Sequence, residues 1–347
     1  MPSQTFTNRS FWTAATASGF VVNSPVKNWV LENDAETIFN RLERHGRTWK
    51  VYVAEPDRFS MTGLIHYPRL KDRFDTHFVP FSEFETDAAD GHLPDFSFIE
   101  PSLVLGHGDY HPAFSRVLGH GIVIGGADPP SSILGGEAFL ARIYDAYRAM
   151  RSPTGSNVWN TTLLIGWDEP GGTYDHVPPG PVPPPDPSAP AGQLGFASDR
   201  SGYRVPAVVV SPWVAEGQVF NEEHRHTSLI ATLRERWDLG APFTARDAVA
   251  RTISHVFTLD TPRDPGTWPV PTPRPVPQYV VDALLVGKSL STLGRAAFDG
   301  IRSFAEHHDL RIEGLPADPS AEVPPAQALQ IMRDFLAIHF PRLVPPA

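Results

Sequence analysis

Apolar and polar positions along the chain alternate between helical and extended periods. Residues 161–167, TTLLIGW, form a short apolar run bounded by polar residues, which predicts a buried strand. Residues 48–54, TWKVYVA, alternate as a half-buried strand does, and 96–105 and 205–211 are two further strand candidates. Glu100-Pro101 is expected to end or bulge the first of these. Helical spacing predicts a helix from Asn33 to Gly46, with Asn33 as cap, Glu36 in capping-box position, and Ile38, Phe39 and Leu42 as its apolar stripe. A second helix is predicted over Glu137–Met150, with Phe139, Ile143, Ala146 and Tyr147 on one face. A third is capped by Thr227 and carries Leu229, Leu233 and Trp237. Helices feeding strands in this order predict an α/β fold.

Beyond about residue 265 the pattern changes. PGTWPVPTPRPVPQ predicts an extended proline-rich linker. Helical patterns follow at Val281–Arg302 and Ala326–Phe340. The expected division is therefore a main domain over 1–264 and a linker with a C-terminal helical appendage over 265–347. Residues 113–134 read as an insertion rich in loop signals. No internal repeat is visible.

Composition narrows this picture. The 347 residues, 41% hydrophobic and 11% aromatic, suffice for one large or two modest domains. A net charge of -10 argues against nucleic acid as a partner, because a phosphate backbone needs a basic surface. With no cysteine there is neither a disulfide framework nor a thiolate metal site, and the redox compartment stays open. No run of 18 apolar residues suggests a membrane span, and MPSQTFTNRSFW does not read as a signal peptide.

The chemistry concentrates after the 161–167 strand. Asp168 and Glu169 follow it directly, then Gly171-Gly172, Asp175-His176 and a proline run. Carboxylates at the carboxyl end of a buried strand lie where open α/β sheets place their ligands. Thr13, Thr16 and Ser18 sit among Ala14, Ala15 and Ala17, which is either a ligand-sized space with hydroxyls or a capped helix start. GHGDYHP, residues 106–112, offers His107, Asp109 and His111. His66, His77 and His92 read as surface or packing histidines, and no G-x-S-x-G elbow supports a Ser-His-Asp hydrolase.

The stretch DEPGGTYDHVPP resembles the signature of the bacterial phosphoesterases that include phospholipase C and a secreted acid phosphatase. GYRVPAVVVSPW, EEHRHTSLIATLRERW and TARDAVA resemble its later segments. The resemblance implies an alkaline-phosphatase-like α/β/α sandwich with a mixed, mostly parallel central sheet. It implies a phosphoesterase of phospholipase C or acid phosphatase type acting through a Thr or Ser phospho-enzyme. One divalent metal ion (Ca, Mg, Mn or Zn) would be held by Asp168, Glu169 and the nucleophile. By spacing from Asn8-Arg9 that nucleophile is Thr16, with Ser18 and Thr13 as alternatives. His111 would donate to the phosphate, and His176 would lie behind the ligands or protonate the leaving group. Asp175, His226 and Ser18 are candidate neighbours. The expected substrate is a phosphate ester, a phospholipid headgroup among the candidates. Members are usually secreted or periplasmic, an expectation that the N-terminus does not match.

Three positions depart from the family pattern. Pro170 and Arg225 stand where the family commonly has histidine and aspartate. The family's first metal-binding strand reads Glu-Asn-Arg-Ser-Phe-Asp, whereas Thr7 precedes Asn8-Arg9-Ser10-Phe11 and no aspartate follows. These residues match a later Asn-Arg landmark, so the resemblance runs from about residue 5 to 262 and the first strand is expected to be missing. A relative that binds phosphorylated or choline-type ligands without turnover is therefore the alternative expectation.

Overall fold

The computed structural model describes residues 2–23, 25–55, 60–103, 108–111, 133–276, 292–318 and 320–339. At its centre lies β1 (Trp49–Val53), flanked by β2 (Phe78–Pro80) and β3 (Phe96–Glu100) in the order β2-β1-β3. Both pairings are parallel, with Val51 opposite Phe78 and Phe98, and Val53 opposite Pro80 and Glu100. Successive side chains of a strand point to opposite faces. Trp49, Val51 and Val53 accordingly join one apolar cluster, while Tyr52 joins another.

The first cluster gathers α1 (Thr5–Ala14), α2 (Val26–Glu32), α3 (Ile38–Arg44), α4 (Met61–Ile65), α5 (Tyr67–Leu70) and α6 (Phe74–His77). The second gathers α7 (Phe81–Asp90) and α8 (Ile133–Ala149) through Phe84, Ile143 and Tyr147. A parallel sheet flanked by helices on both faces is the α/β architecture that the alternation predicts.

A second, two-stranded sheet pairs β4 (Leu163–Gly166) with β5 (Ala207–Val210), antiparallel, with Leu163 opposite Val210 and Gly166 opposite Ala207. The expected buried strand at 161–167 is therefore only half-buried along its length. Among the described residues it pairs on one side alone, and its other edge opens into a cavity. Tyr147 ties this sheet to the second cluster, its hydroxyl lying 2.9 Å from Thr161 O and 3.1 Å from Val210 O.

Local signals account for most element ends, with two revisions. The cap of α3 is Thr37, whose hydroxyl accepts from Asn40 N while the Asn40 side chain accepts from Thr37 N. Asn33 instead follows α2 and is fully buried, its amide donating to Ile65 O. Glu36 turns to Arg41 and Arg44. Thr227 does not cap α9 (Thr227–Trp237), because His226 is already helical and, among the described residues, the buried Thr227 hydroxyl has no hydrogen-bond partner. A short helix, α10 (Ala245–Ala248), follows, capped by Thr244.

Two C-terminal helices, α11 (Thr292–His307) and α12 (Pro325–His339), place Phe298, Ile301, Ile331 and Phe335 in the first cluster. The proline-rich stretch before them contributes Trp268, buried against Tyr147 at 6.2 Å between ring centroids. Residues 113–132 of the insertion predicted over 113–134, His107, and residues 281–291 of the helix expected over Val281–Arg302 lie outside the described residues.

Candidate active site

Helix α1 is unusual in burying polar residues on most of its surface, among them Thr7, Asn8, Arg9, Ser10 and Thr13. Each finds a tertiary or local partner, as burial demands. Asn8 Nδ2 donates to Ser3 O, Ser10 Oγ to Thr16 O, and Thr13 Oγ1 to Arg9 O. Thr13 also meets His66 Nε2 at 2.7 Å. His66 is fully buried and its pKa is pushed down to about 3, chiefly by burial and further by the Arg9 charge. The ring is therefore neutral, with Nε2 donating to Thr13 and Nδ1 facing the Asn33 amide at 3.3 Å. His66 is thus a packing histidine, as its sequence context predicts.

Thr5, Arg9 and Trp12 recur at i, i+4 and i+7, so one face of α1 presents all three. That face forms part of a cavity of about 1210 Å³, whose walls include Phe96 and Phe98 of β3, Leu163 to Gly166 of β4, and the turn that follows β4. Trp12 is the spacer between helix and strand. A side chain at Gly166 would fall 2.6 Å from the Trp12 ring, and that ring stacks on His226 at 5.3 Å.

Asp168 and Glu169 sit on this turn and line the cavity. Glu169 Oε2 accepts from Gly171 N at 3.0 Å, which the left-handed Gly171 and Gly172 permit. Among the described residues, Asp168 Oδ2 is buried with no hydrogen-bond partner. Burial pushes its pKa up to about 6; Arg9 opposes the rise, and Glu169 and Asp109 add to it. An orphaned carboxylate oxygen in a cavity calls for a ligand.

Asp109, Tyr110 and His111 line the same cavity, with His111 N donating to Asp109 Oδ1 at 3.2 Å. Tyr110 has a positive φ of 62° and packs edge-on against Trp167. Gly136 of α8 makes room for its ring, since a Cβ there would lie 2.3 Å away.

The other expected site residues lie elsewhere. Thr16 is not among the residues lining the cavity. It follows the carboxyl end of α1, with its hydroxyl accepting from Ser18 N at 3.1 Å. A helix of ten residues is about 15 Å long, so Thr5 and Thr16 lie at its opposite ends. Ser18 is exposed and donates to Asn33 Oδ1. Thr13 is committed to the Arg9 carbonyl and His66. His176 is 80% exposed and also stands apart from the cavity lining.

Asp175 forms a two-pronged ion pair with Arg204, at 2.9 and 2.8 Å, which holds its carboxyl well below the usual range and fixes Arg204 at the cavity rim. His226 Nε2 donates to Trp167 O at 3.0 Å, and burial pushes its pKa down to about 3. It is a neutral support beneath the acid turn.

Thr5, Arg9 and Arg204 are the residues that sequence reasoning leaves out. The i, i+4, i+7 spacing on α1 is the signal for the first two. Among the described residues no group of three or more histidines and acids could hold a metal ion. Asp168 and Glu169 provide two carboxylates, one with a free buried oxygen; they fit part of a hard-cation site and do not complete one.

Comparison with known proteins bears on this arrangement. The model of the Phosphoesterase family matches residues 1–240. Non-specific phospholipase C6 of Arabidopsis thaliana is 32% identical over 306 residues, covering 82% of this chain and 53% of that protein. Non-specific phospholipase C3 of the same plant is 29% identical over 283 residues, covering 76% and 48%. Phospholipase C B of Mycobacterium tuberculosis is 27% identical over 316 residues, covering 80% and 56%. The chain spans about half the length of these relatives. The matched span includes the acid turn, the cavity face of α1 and the Asp109–His111 segment, and the chain belongs to the Phosphoesterase family.

Proposed function

We propose that this protein is a metal-dependent phosphoesterase of the phospholipase C type that cleaves phosphate mono- or diesters. The observation that carries the reading is the buried, unpartnered Asp168 Oδ2 in a cavity shared with Glu169, Thr5 and His111. The names of the relatives support the phosphoester class.

Asp168 and Glu169 would hold a hard divalent ion of the Mg, Ca or Mn kind, with Zn the alternative. When bound, such an ion lowers the pKa of a neighbouring hydroxyl and offsets phosphoryl charge. Two carboxylates leave most of its coordination shell to other groups.

The hydroxyl best placed to attack is that of Thr5 rather than Thr16. It lies on the cavity face of α1. Three of the other cavity threonines, Thr161, Thr173 and Thr232, donate their hydroxyls to Asn160, Pro170 O and Ser228 O. Thr162 precedes Asp168 by six residues of extended chain, about 20 Å. The Thr5 oxygen would add to phosphorus opposite the leaving alcohol, and water would then hydrolyse the phosphothreonine. His111 would hydrogen-bond to the phosphoryl oxygens. The apolar walls from β3 and β4 leave room for more than a phosphate. The cavity exceeds the roughly 300–1,000 Å³ usual for small ligands, which favours esters with a bulky alcohol such as a phospholipid.

A second reading, binding without turnover, is favoured by the incomplete acid set around Asp168. Hydrolysis of p-nitrophenyl phosphate and p-nitrophenylphosphorylcholine, with and without EDTA, separates the two. The esterase reading expects EDTA to abolish turnover and Thr5→Ala to lower kcat by about 10²-fold or more. Thr16→Ala should change it by only a few-fold. Full activity in Thr5→Ala removes the proposed nucleophile, and no turnover with any of these metals leaves only binding.

A further inference from the structure

The structure assigns the Arg9 guanidinium as a phosphoryl-binding clamp, held in place from below by Glu100. The assignment deepens the phosphoesterase reading and rests on it for the identity of the anion. Arg9 is 8% exposed and Glu100 is fully buried, yet Arg9 lines the cavity that holds Asp168. Glu100 ends β3, and the parallel register with β1 fixes it opposite Val53. Its carboxylate is saturated: one oxygen accepts from Thr62 N at 3.0 Å, from Thr62 Oγ1 at 2.6 Å and from Arg9 Nη2, and the other accepts from Ser60 Oγ. A carboxylate bound this way cannot swing, so the guanidinium it grips cannot either.

Among the described residues, both side-chain hydrogen bonds of Arg9 leave through Nη2, the second reaching Thr62 Oγ1 at 3.4 Å. Nε is buried and, among the described residues, has no hydrogen-bond partner. A guanidinium that lines the cavity while one corner is held by a buried counter-ion is pre-organised to meet an acceptor there. The charge it directs into the cavity is felt at Asp168. Planar donors facing a tetrahedral anion are the geometry by which arginine takes two phosphoryl oxygens at once. Glu100 is a positioning residue, and Arg9 the one that touches the substrate.

The test is titration of the protein with inorganic phosphate and, in a separate arm, phosphorylcholine. Calorimetry reads the binding, with and without magnesium. Arg9→Lys keeps the charge but loses the fork, and is expected to weaken phosphate binding about tenfold. Removing Arg9 alone strands the Glu100 charge, so the paired variant Arg9→Met, Glu100→Gln takes out both, and a loss of about 100-fold is expected. Thr37→Ala, a destabilised helix cap remote from the cavity, is the control for stability alone and should bind as the parent does. Glu100→Gln by itself should weaken phosphate binding more than Thr37→Ala at equal loss of Tm. Equal weakening in both arms places the clamp on the phosphoryl group common to free phosphate and headgroup. Weakening of the phosphorylcholine arm alone overturns it. A folded double variant that binds phosphate within threefold of the parent also overturns it, whether or not the parent hydrolyses esters. Arginine-dependent phosphate binding by a protein that hydrolyses nothing leaves the clamp standing and removes only the esterase reading.

Discussion

Acidification should destabilise this protein through His66 in a way that a single substitution can isolate. The imidazole is fully buried against Thr13, Asn33 and Arg9, and its pKa is pushed down to about 3 from an ordinary 6.5. In the unfolded chain it takes a proton near pH 6.5; in the native state it stays neutral until about pH 3. The unfolded state thus binds more protons across that window, so the stability associated with the neutral ring is complete above pH 6.5. It drains away as the pH falls toward 3. Each pH unit is worth about 1.4 kcal/mol, so by pH 5, one and a half units below 6.5, the loss reaches about 2 kcal/mol. That is a large share of a typical folding free energy of roughly 5–15 kcal/mol. Carboxylates also titrate in this range, so the parent alone is uninformative. His66→Gln is the comparison: its side-chain amide can still donate toward Thr13 but takes no proton. Urea denaturation at pH 7 and pH 5 should show a stability difference about 2 kcal/mol smaller in His66→Gln than in the parent. An identical pH 7 to pH 5 difference in the two proteins would refute a buried neutral histidine.

Three further outcomes can be checked by the same denaturation measurements. Gly136→Ala drives a Cβ to within 2.3 Å of the Tyr110 ring, so it should lower stability by about 1–3 kcal/mol and, by displacing Tyr110-His111, reduce the proposed ester hydrolysis as well. Tyr147→Phe removes the hydroxyl shared by Thr161 O and Val210 O and should cost about 1 kcal/mol, with no change in the proposed ester hydrolysis. Thr37→Ala deletes the α3 capping box and should cost about 1 kcal/mol; a loss under 0.3 kcal/mol would mean that Asn40 caps unaided.

How much of this could be read from the chain depended on what carried the signal. The strand ending in Asp168-Glu169 was legible, because an apolar run followed by acids and a glycine pair has few other uses. So was the helix around Phe39 and Leu42, though not its start. Asn33 and Thr37 are both acceptable caps, and only the demand of Ile65 O for a donor commits Asn33 to the interior. Helix α1 was opaque for a physical reason. Its buried face is largely Thr, Asn, Arg and Ser, satisfied by partners far away in sequence such as Thr62, His66 and Glu100, so no apolar period marks it. Counting from Asn8-Arg9 leads forward to Thr16, whereas the face of α1 that lines the cavity carries Thr5. The antiparallel pairing of β4 with β5 was equally hidden, since an apolar run does not encode strand direction.

The cavity that separates β3 from β4 also divides the backbone amides into two populations. On β1, donors facing either neighbour are locked in a ladder. On β3 and β4, among the described residues, only alternate amides have a strand partner, and those directed into the cavity face solvent. Deuterium uptake along Phe96–Glu100 and Leu163–Gly166 should therefore alternate between slow and fast from one residue to the next. Any extended peptide lodging between the two edges would silence the fast set on both at once.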